Sequence, residues 1–190
     1  LQLTCAGGGE VFDRTAVVGY EPHAGGTRLR TDRGPIIDAQ HVIIATGYEA
    51  QHMLRERIVN LKSTYAIVTE PLQSLEPWNH DWLLWETKRP YLYLRATTEN
   101  RFLAGGEDDD FYDPVRRDRN LPTKSLRLLA QLRNLFPGLD LGVQHCWAGA
   151  FGETKDGLAY IGSSPEYPTC LFALGFGGNG ITFSCIAAEL

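Results

Sequence analysis

Four glycines fall within six residues near the end of the sequence, at positions 175, 177, 178 and 180. The apolar run 171–174 before them predicts a buried strand, and residues 181–190 after them, rich in alanine and apolar residues, predict a helix. A strand, a glycine turn and a helix together present free backbone N–H groups and the positive end of a helix dipole. This arrangement suits an anion or another electron-rich ligand.

The same glycines match the pattern G-x-G-x-x-G, with Gly175, Gly177 and Gly180 in its fixed positions. The dinucleotide-binding form of this pattern opens a βαβ unit, and an acidic residue follows about 20 positions later. Because the sequence ends at residue 190, we expect a cofactor cradle of a different kind from the usual pyrophosphate loop. A tight glycine turn that needs positive φ angles is the alternative interpretation.

Length and charge narrow the class of protein. The chain has 190 residues, enough for one or two domains with a real core, and its formal net charge is −5. A negative charge disfavours nucleic acid and anionic membrane surfaces as partners. The sequence also has no apolar run that approaches the roughly 20 residues of a membrane span. We therefore expect neither a nucleic-acid nor a membrane partner.

The N-terminal residues and the cysteines bear on the compartment. Residues 1–5 have no initiator Met, basic region or long apolar core, so we expect no signal peptide and a fragment of a longer protein. The four cysteines, at positions 5, 146, 170 and 185, form no C-x-x-C pair. Scattered buried thiols in a reducing compartment fit them better than disulfides do. These features predict a cytoplasmic protein.

The first third of the sequence predicts strands and turns. Residues 7–33 predict a β-hairpin region with a turn at 23–26. Residues 41–45 are typical of a strand in a parallel sheet that is covered on both faces. Thr46 and Gly47 follow, and such small residues let the backbone approach another group closely.

The middle of the sequence predicts an antiparallel sheet with one helix. Four β-prone segments follow one another without an intervening helix: 64–69, 82–85, 91–96 and 101–106. A well-buried helix is predicted to begin at Pro122, with Thr123 as its N-cap. Residues 143–151 predict a further strand, and 152–157 a polar turn.

Three consecutive aspartates occupy positions 108–110. A site for a hard cation needs oxygen ligands at alternating spacings and a shaping glycine. The run offers neither, so we predict a solvated loop and no metal site.

Four motifs occur in the order and spacing of one protein family: residues 42–47 (VIIATG), 147–149 (WAG), 154–162 (TKDGLAYIG) and 175–181 (GFGGNGI). They resemble the C-terminal part of the D-amino-acid oxidase-type FAD-dependent oxidoreductases, the group that includes glycine oxidase and monomeric sarcosine oxidase. The resemblance covers essentially the whole chain. The last two motifs together are specific, whereas the ATG sequence alone is common to many flavoproteins.

The resemblance implies an α/β (α+β) fold in two parts. Residues 1–59 and 152–190 would belong to a discontinuous FAD-binding domain, and residues 60–151 would form a substrate domain with a large antiparallel sheet backed by a helix. The true dinucleotide-binding motif would lie in an N-terminal part that this sequence lacks. We therefore expect this fragment alone to be inactive and not to hold FAD.

The resemblance also implies which residues touch FAD. Val17 would contact the adenine side through its backbone, and Ala45, Thr46 and Gly47 would line the cofactor. The segment that would lie against the flavin ring consists of Gly175, Phe176, Gly177, Gly178, Asn179, Gly180, Ile181 and Thr182. A reduced flavin carries negative charge near N1 and the C2 oxygen, which a helix N-terminus stabilises.

Two positions depart from the family pattern. Some sarcosine oxidases attach flavin through a cysteine where this chain has Gly149, and Cys146 lies three residues away, so we expect non-covalent FAD. In glycine oxidase an arginine on this strand binds the substrate carboxylate, and Phe151 takes its position here. Because an Arg–carboxylate pair is strong and directional, its loss favours a less charged amine over an α-amino acid.

The candidate substrate-facing residues are all aromatic: Tyr65, Tyr91, Tyr93, Trp147 and Phe151. For each of them, ordinary packing on a strand face is the alternative. Arg95 could bind an anion or face solvent. The five histidines are dispersed and predict no catalytic His–Asp or His–Ser pair.

The resemblance therefore implies an FAD-dependent oxidoreductase that oxidises an amine or amino acid. Hydride transfer to flavin would give an imine that hydrolyses, and O2 or another acceptor would reoxidise the cofactor. Such a reaction needs positioning more than an acid–base pair. The alternative is a binding or structural module of the same fold that has lost flavin chemistry.

Overall fold

The structure is a computed structural model that describes residues 1–111 and 113–190. The strands are β1 Val17–His23, β2 Gly26–Thr31, β3 Ile36–Ala39, β4 Val42–Ile44, β5 Val59–Thr69, β6 Leu83–Trp85, β7 Leu92–Ala96, β8 Phe102–Asp110, β9 Val143–Thr154, β10 Tyr160–Ser164 and β11 Tyr167–Leu174. The helices are α1 Gln2–Ala6, a 3₁₀ helix Gly47–Met53, α2 Pro114–Leu135 and α3 Gly180–Glu189. The predicted mixture of α and β structure is confirmed.

The predicted hairpin is confirmed and forms the first sheet. Strands β1 and β2 pair antiparallel, and β3 pairs with the other edge of β2. The turn between β1 and β2 contains Gly25 at φ +82°, a conformation that glycine adopts without strain.

The second sheet has the order β10-β11-β4, and β4 pairs parallel with β11 as its apolar run predicts. The expectation that both faces are covered is wrong for the described chain. Successive side chains point to opposite faces of a strand. Ile44 and Phe172 are buried, whereas Ile43 and Leu171 are 71% and 46% exposed. One face therefore packs into a core and the other is open.

The third sheet has five antiparallel strands in the order β6-β7-β8-β5-β9, as the helix-free middle of the sequence predicts. Two of its strands are longer than expected. Asp110 pairs with Lys62 and Asp109 with Ser63, so the three aspartates end a strand and are not a loop. Residues 152–154 also continue β9, because Glu153 pairs with Asn60 of the long strand β5.

Helix α2 backs this sheet and begins earlier than predicted. Its N-cap is Asp113, whose carboxylate accepts a hydrogen bond from the Arg116 N–H at 2.8 Å. The prediction that the helix begins at Pro122 is wrong, because Pro122 lies inside it. A proline there removes one backbone hydrogen bond. Burial of Leu128 and Leu132 against the sheet helps to stabilise the helix despite that loss.

Two further observations complete the fold. Cys170 is buried, but Cys5, Cys146 and Cys185 are exposed, so the expectation of buried thiols holds for one of the four. Among the described helices, none combines the length and the apolar character needed to cross a bilayer.

Candidate active site

A cavity of about 660 Å³ lies between one face of the five-stranded sheet and the glycine-rich loop before α3. Its sheet wall includes Tyr91 immediately before β7, Tyr93 on β7 and Phe151 on β9. Its other wall is the stretch Gly175 to Asn179. The fold therefore brings two segments that are far apart in sequence to opposite sides of one space.

The glycine loop is fixed by its own conformation and by strand β9. Gly175 and Gly177 have φ angles of +74° and +55°, which residues with a side chain rarely adopt. A Cβ atom on Gly175 would lie 2.6 Å from Thr154 Cγ2, and the Gly177 N–H donates to the Gly152 carbonyl at 3.0 Å. The loop is thus a tight glycine turn and also the wall of a cavity, so the two interpretations are compatible.

The N-terminus of α3 follows this loop directly. Asn179 is the N-cap residue, but its side chain makes no capping hydrogen bond. Because the first N–H groups of a helix have no partner within the helix, they are available to another acceptor. Gly178, two residues before the helix, has an ordinary φ angle, and an added Cβ would meet only Tyr91 Oη, at 3.8 Å.

A turn after β9 lines the cavity beside the loop. The Thr154 hydroxyl donates to the Leu158 carbonyl at 2.8 Å, and Asp156 accepts from the Leu158 N–H at 3.0 Å. That backbone hydrogen bond lowers the pKa of Asp156. The turn brings Gly157 to the cavity wall, so the T-x-D-G motif has a structural role here.

The aromatic wall depends on glycines in the neighbouring strand. Tyr93 lies opposite Gly105 in the sheet, and a side chain at Gly105 would overlap the Tyr93 ring. Trp85 lies opposite Tyr93 and also lines the cavity. Small residues in β8 therefore let large rings lie across it.

The other two predicted aromatic residues lie elsewhere. Trp147 is on β9 opposite Ala66, partly exposed and outside the lining of this cavity. Tyr65 is buried in the core beneath α2, with Lys124 Nζ 5.3 Å from its ring centroid. The structure therefore does not place Tyr65 with Tyr91, Tyr93 and Phe151.

A buried carboxylate that the sequence analysis missed lies behind the aromatic wall. Strand β8 contains an irregularity where two of its residues oppose Thr64, with Glu107 at φ +56°. Such a bulge re-aims the side chains that follow. Neither oxygen of Asp108 has a hydrogen bond of standard geometry. The hydroxyls of Thr64 and Tyr91 are the nearby donors that stabilise its charged form.

Burial changes the acidity of this group. Desolvation raises the pKa of Asp108, and the two hydroxyls and the Arg89 charge oppose that rise. Desolvation also raises the pKa of Tyr91 and of Tyr93, and the negative charge of Asp108 adds to both. The phenols on the cavity wall are therefore neutral hydrogen-bond donors throughout the ordinary pH range.

Two charged residues at the cavity were also missed. Arg89 lies between β6 and β7, and Glu153 near the end of β9; their side chains pair at 3.7 Å. Asp108 was visible as part of an acidic run, but only the bulge reveals its direction. Nothing in the local sequence distinguishes Arg89 from a surface arginine.

A second cavity of about 800 Å³ adjoins the first. It lies along the open face of the second sheet, where Ile43, Ala45 and Gly47 contribute to its mainly apolar wall. The two cavities share Phe151, Phe176 and Gly177 as lining residues. The predicted cofactor residues that line neither cavity are Val17, Thr46, Gly180, Ile181 and Thr182.

This pair of cavities fits a long, flat ligand with an electron-rich end. Gly47, Gly177 and Gly178 leave the backbone uncovered on the walls. The N-terminus of α3 supplies partial positive charge beside the shared lining residues. The first cavity leaves room for a smaller molecule against the aromatic wall.

Comparisons with known proteins identify the class. Residues 2–190 match the family described as FAD dependent oxidoreductase (DAO), so the chain belongs to this flavoprotein family, as its motifs predict. Glycine oxidase of Bacillus licheniformis is 27% identical over 186 residues, covering 96% of this chain and 48% of that protein. D-amino acid dehydrogenase 2 of Pseudomonas aeruginosa is 29% identical over 163 residues, covering 83% of this chain and 37% of that protein.

Solved structures show the same fold. The crystal structure of iminodiacetate oxidase from Chelativorans sp. BNC1 superposes with a TM-score of 0.79 at 18% identity, covering 100% of this chain and 51% of that one. Glycine oxidase from Geobacillus kaustophilus gives a TM-score of 0.70 at 21% identity. The chain spans about half the length of the two Bacillus glycine oxidases that it matches.

Proposed function

We propose that the protein is an FAD-dependent oxidoreductase that oxidises a small amine or amino acid. One observation carries the proposal: the glycine-rich loop and the aromatic sheet face line the same cavity. The loop offers uncovered backbone beside a helix N-terminus, and the sheet offers rings and neutral phenols. Such a pair of walls can hold a redox ring on one side and a substrate on the other.

The proposed cofactor residues lie on both cavities. Ala45 and Gly47 line the apolar cavity, and the segment from Gly175 to Asn179 reaches the shared region. In this proposal residues 1–59 and 152–190 contribute to an FAD-binding domain, and 60–151 form a substrate domain. Binding is non-covalent, because Gly149 stands where some relatives carry the attaching cysteine. We also propose a cytoplasmic location and reoxidation by O2 or another acceptor.

Bound flavin would accept a hydride from the carbon next to the substrate nitrogen. The residues of this chain contribute positioning. Tyr91 and Tyr93 present phenols kept neutral by burial, and Phe151 adds an apolar ring to the same wall. The α3 N-terminus stabilises negative charge on the far side of the loop. Orientation of this kind can supply much of a rate enhancement without an acid–base pair.

The test uses the full-length protein. Purified protein is expected to show flavin absorption that bleaches when a substrate amine or amino acid is added without oxygen, and that returns on exposure to an acceptor. Acid denaturation is expected to release FAD into the supernatant, as non-covalent binding requires. A protein that stays colourless and takes up no added FAD would contradict the proposal and favour a non-catalytic module.

A further inference from the structure

The loop between β6 and β7 brings a positive charge to the first cavity. Among the described residues that line this cavity, Arg89 is the one cation. The neighbouring wall on β9 carries Phe151, an uncharged ring, and Glu153, an anion. The cationic partner for a carboxylate in this cavity is therefore Arg89, on the loop between β6 and β7 and not on β9.

The guanidinium of Arg89 is weakly engaged. It pairs with Glu153 through one contact of 3.7 Å, and its side chain is 69% exposed. For comparison, Arg28 holds Asp38 through two hydrogen bonds of 2.7 and 2.8 Å. Because a guanidinium has five N–H donors arranged as a fork, Arg89 can still receive a carboxylate with both oxygens.

The neighbouring ring holds this charge in place. The Arg89 guanidinium carbon lies 5.1 Å from the Tyr91 ring centroid, a cation–π distance. The hydroxyl end of Tyr91 points to Gly178 of the loop. Tyr91 thus spans the distance between the weakly paired guanidinium and the backbone that we propose contacts the flavin.

We infer that Arg89 binds the carboxylate of the substrate, so that the enzyme prefers amino acids to the corresponding decarboxylated amines. The inference rests on the proposed function for its substrate and reverses the expectation, drawn from Phe151, of a less charged amine. Glu153 is the counter-ion of Arg89 in the free protein, and a substrate carboxylate competes with it. Arg89 is a specificity-determining residue.

Binding tests this inference without turnover. Phenylacetate and phenylacetamide share a ring suited to the aromatic wall, but only the first carries a charge. By calorimetry on the full-length protein, Arg89→Gln is expected to weaken phenylacetate binding about 10- to 100-fold and to leave phenylacetamide binding within about 2-fold. Arg89→Lys keeps the charge without the fork and is expected to fall between.

Two further variants sharpen the measurement. Glu153→Gln removes the competing anion and is expected to tighten phenylacetate binding. Arg55→Gln is the matched control, because Arg55 is an exposed arginine that pairs with Glu166 and lines neither cavity. Absence of phenylacetate binding to the wild type, or equal binding to Arg89→Gln, would overturn the inference.

Kinetics separate this inference from the proposed function. If phenylalanine is oxidised, Arg89→Gln is expected to raise its KM at least about 10-fold while changing that of phenethylamine much less. If the protein binds no flavin but Arg89→Gln still loses phenylacetate, the proposed function fails and the carboxylate site stands. If flavin reduction occurs and Arg89→Gln shows an unchanged preference, the function stands and the inference fails.

Discussion

The two faces of the five-stranded sheet differ in how their aromatic and charged residues are used. On the face beneath α2, Tyr65 is buried in a closed core, and Lys124 is paired within it. On the other face, Tyr93 lines an open cavity, and Asp108 lies buried without a standard hydrogen bond. On the first face the buried cation has acidic partners, whereas on the second face the carboxylate has no cation in contact with it among the described residues.

This difference shows that one face of a sheet can stabilise the fold while the other face lines a binding site. Alternation along a strand sends neighbouring residues to opposite faces. Tyr65 and Thr64 are consecutive, yet the first packs against α2 and the second lines the cavity. We therefore expect substitutions beneath α2 to act on folding, and substitutions on the cavity face to act on binding with smaller effects on stability.

The largest effect is expected for Lys124→Ala, because Lys124 is the cation of a buried network. Its side chain is 9% exposed, pairs with Asp109 at 2.9 Å and donates to the Glu107 carbonyl at 2.7 Å. Removal leaves the buried Glu107 carbonyl without its donor and takes a cation away from the carboxylates of Glu107 and Asp109, although Gln131 still donates to the Glu107 carboxylate. We expect a loss of about 3–5 kcal/mol in the free energy of unfolding. Lys62→Ala, which breaks a more exposed pair with Asp110, is expected to cost at most about 1 kcal/mol. Denaturant unfolding of the full-length variants checks both values. Equal losses in the free energy of unfolding would contradict the claim that the face beneath α2 carries more of the stability.

The next effect concerns the apolar packing of the same helix. Leu132 is fully buried against the sheet, whereas Leu126 of the same helix is 68% exposed. Leu132→Ala is expected to cost about 3 kcal/mol through lost burial and a cavity. Leu126→Ala is the control, with a change within about 0.5 kcal/mol. Similar melting temperatures for the two variants would show that α2 does not pack as described.

On the cavity face, the loop at Gly175 is expected to be the most sensitive position. Gly175→Ala forces a side chain into φ +74° and brings a Cβ to 2.6 Å from Thr154 Cγ2. We expect a loss of about 2 kcal/mol in thermal unfolding experiments. Gly178→Ala meets neither obstacle and is expected to leave stability unchanged. Equal melting temperatures for the two variants would contradict the loop conformation described for Gly175.

The smallest effect is expected at Asp108, and it has the opposite sign. Burial raises the pKa of Asp108, so the folded protein binds this proton more tightly than the unfolded chain and loses stability as the pH rises through that pKa. Asp108→Asn is therefore expected to stabilise the protein by about 1 kcal/mol at neutral pH and not at low pH, where the wild type is protonated. The comparison is a set of melting curves across pH.

Asp110→Asn is the control for this pH experiment. A hydrogen bond from Lys62 lowers the pKa of Asp110, so its contribution is present at neutral pH and is lost as the pH falls through that pKa. This variant is expected to lose stability at neutral pH. A gain in both variants would show that burial of Asp108 is not the cause.

Patterns local to the sequence predict much of this fold. The helix-free run of β-prone segments predicts the antiparallel sheet, and the apolar run before Thr46 predicts a strand in parallel pairing. The prediction for α2 starts the helix at Pro122, because proline is common at helix starts and disrupts helix interiors. The helix begins eight residues earlier, at Pro114, because burial of its leucine face outweighs the one hydrogen bond lost at Pro122.

The cavity is less visible in the sequence. Tyr65, Tyr91 and Tyr93 are equivalent by residue type, and only strand pairing sends the first to the opposite face. Asp108 lies behind the aromatic wall because of a bulge at Glu107, which no local pattern signals. Arg89 reaches the cavity through a loop whose path depends on the whole sheet.

The central claim is that a flavin occupies the space beside the glycine loop, and Gly178→Val tests it most directly. The substitution adds bulk to the cavity wall at an ordinary φ angle, where a Cβ meets only Tyr91 Oη at 3.8 Å. Titration of full-length apoprotein with FAD is the measurement. We predict an unchanged melting temperature and an FAD affinity at least about 10-fold weaker than that of the wild type. Equal affinity in a folded variant would contradict the account.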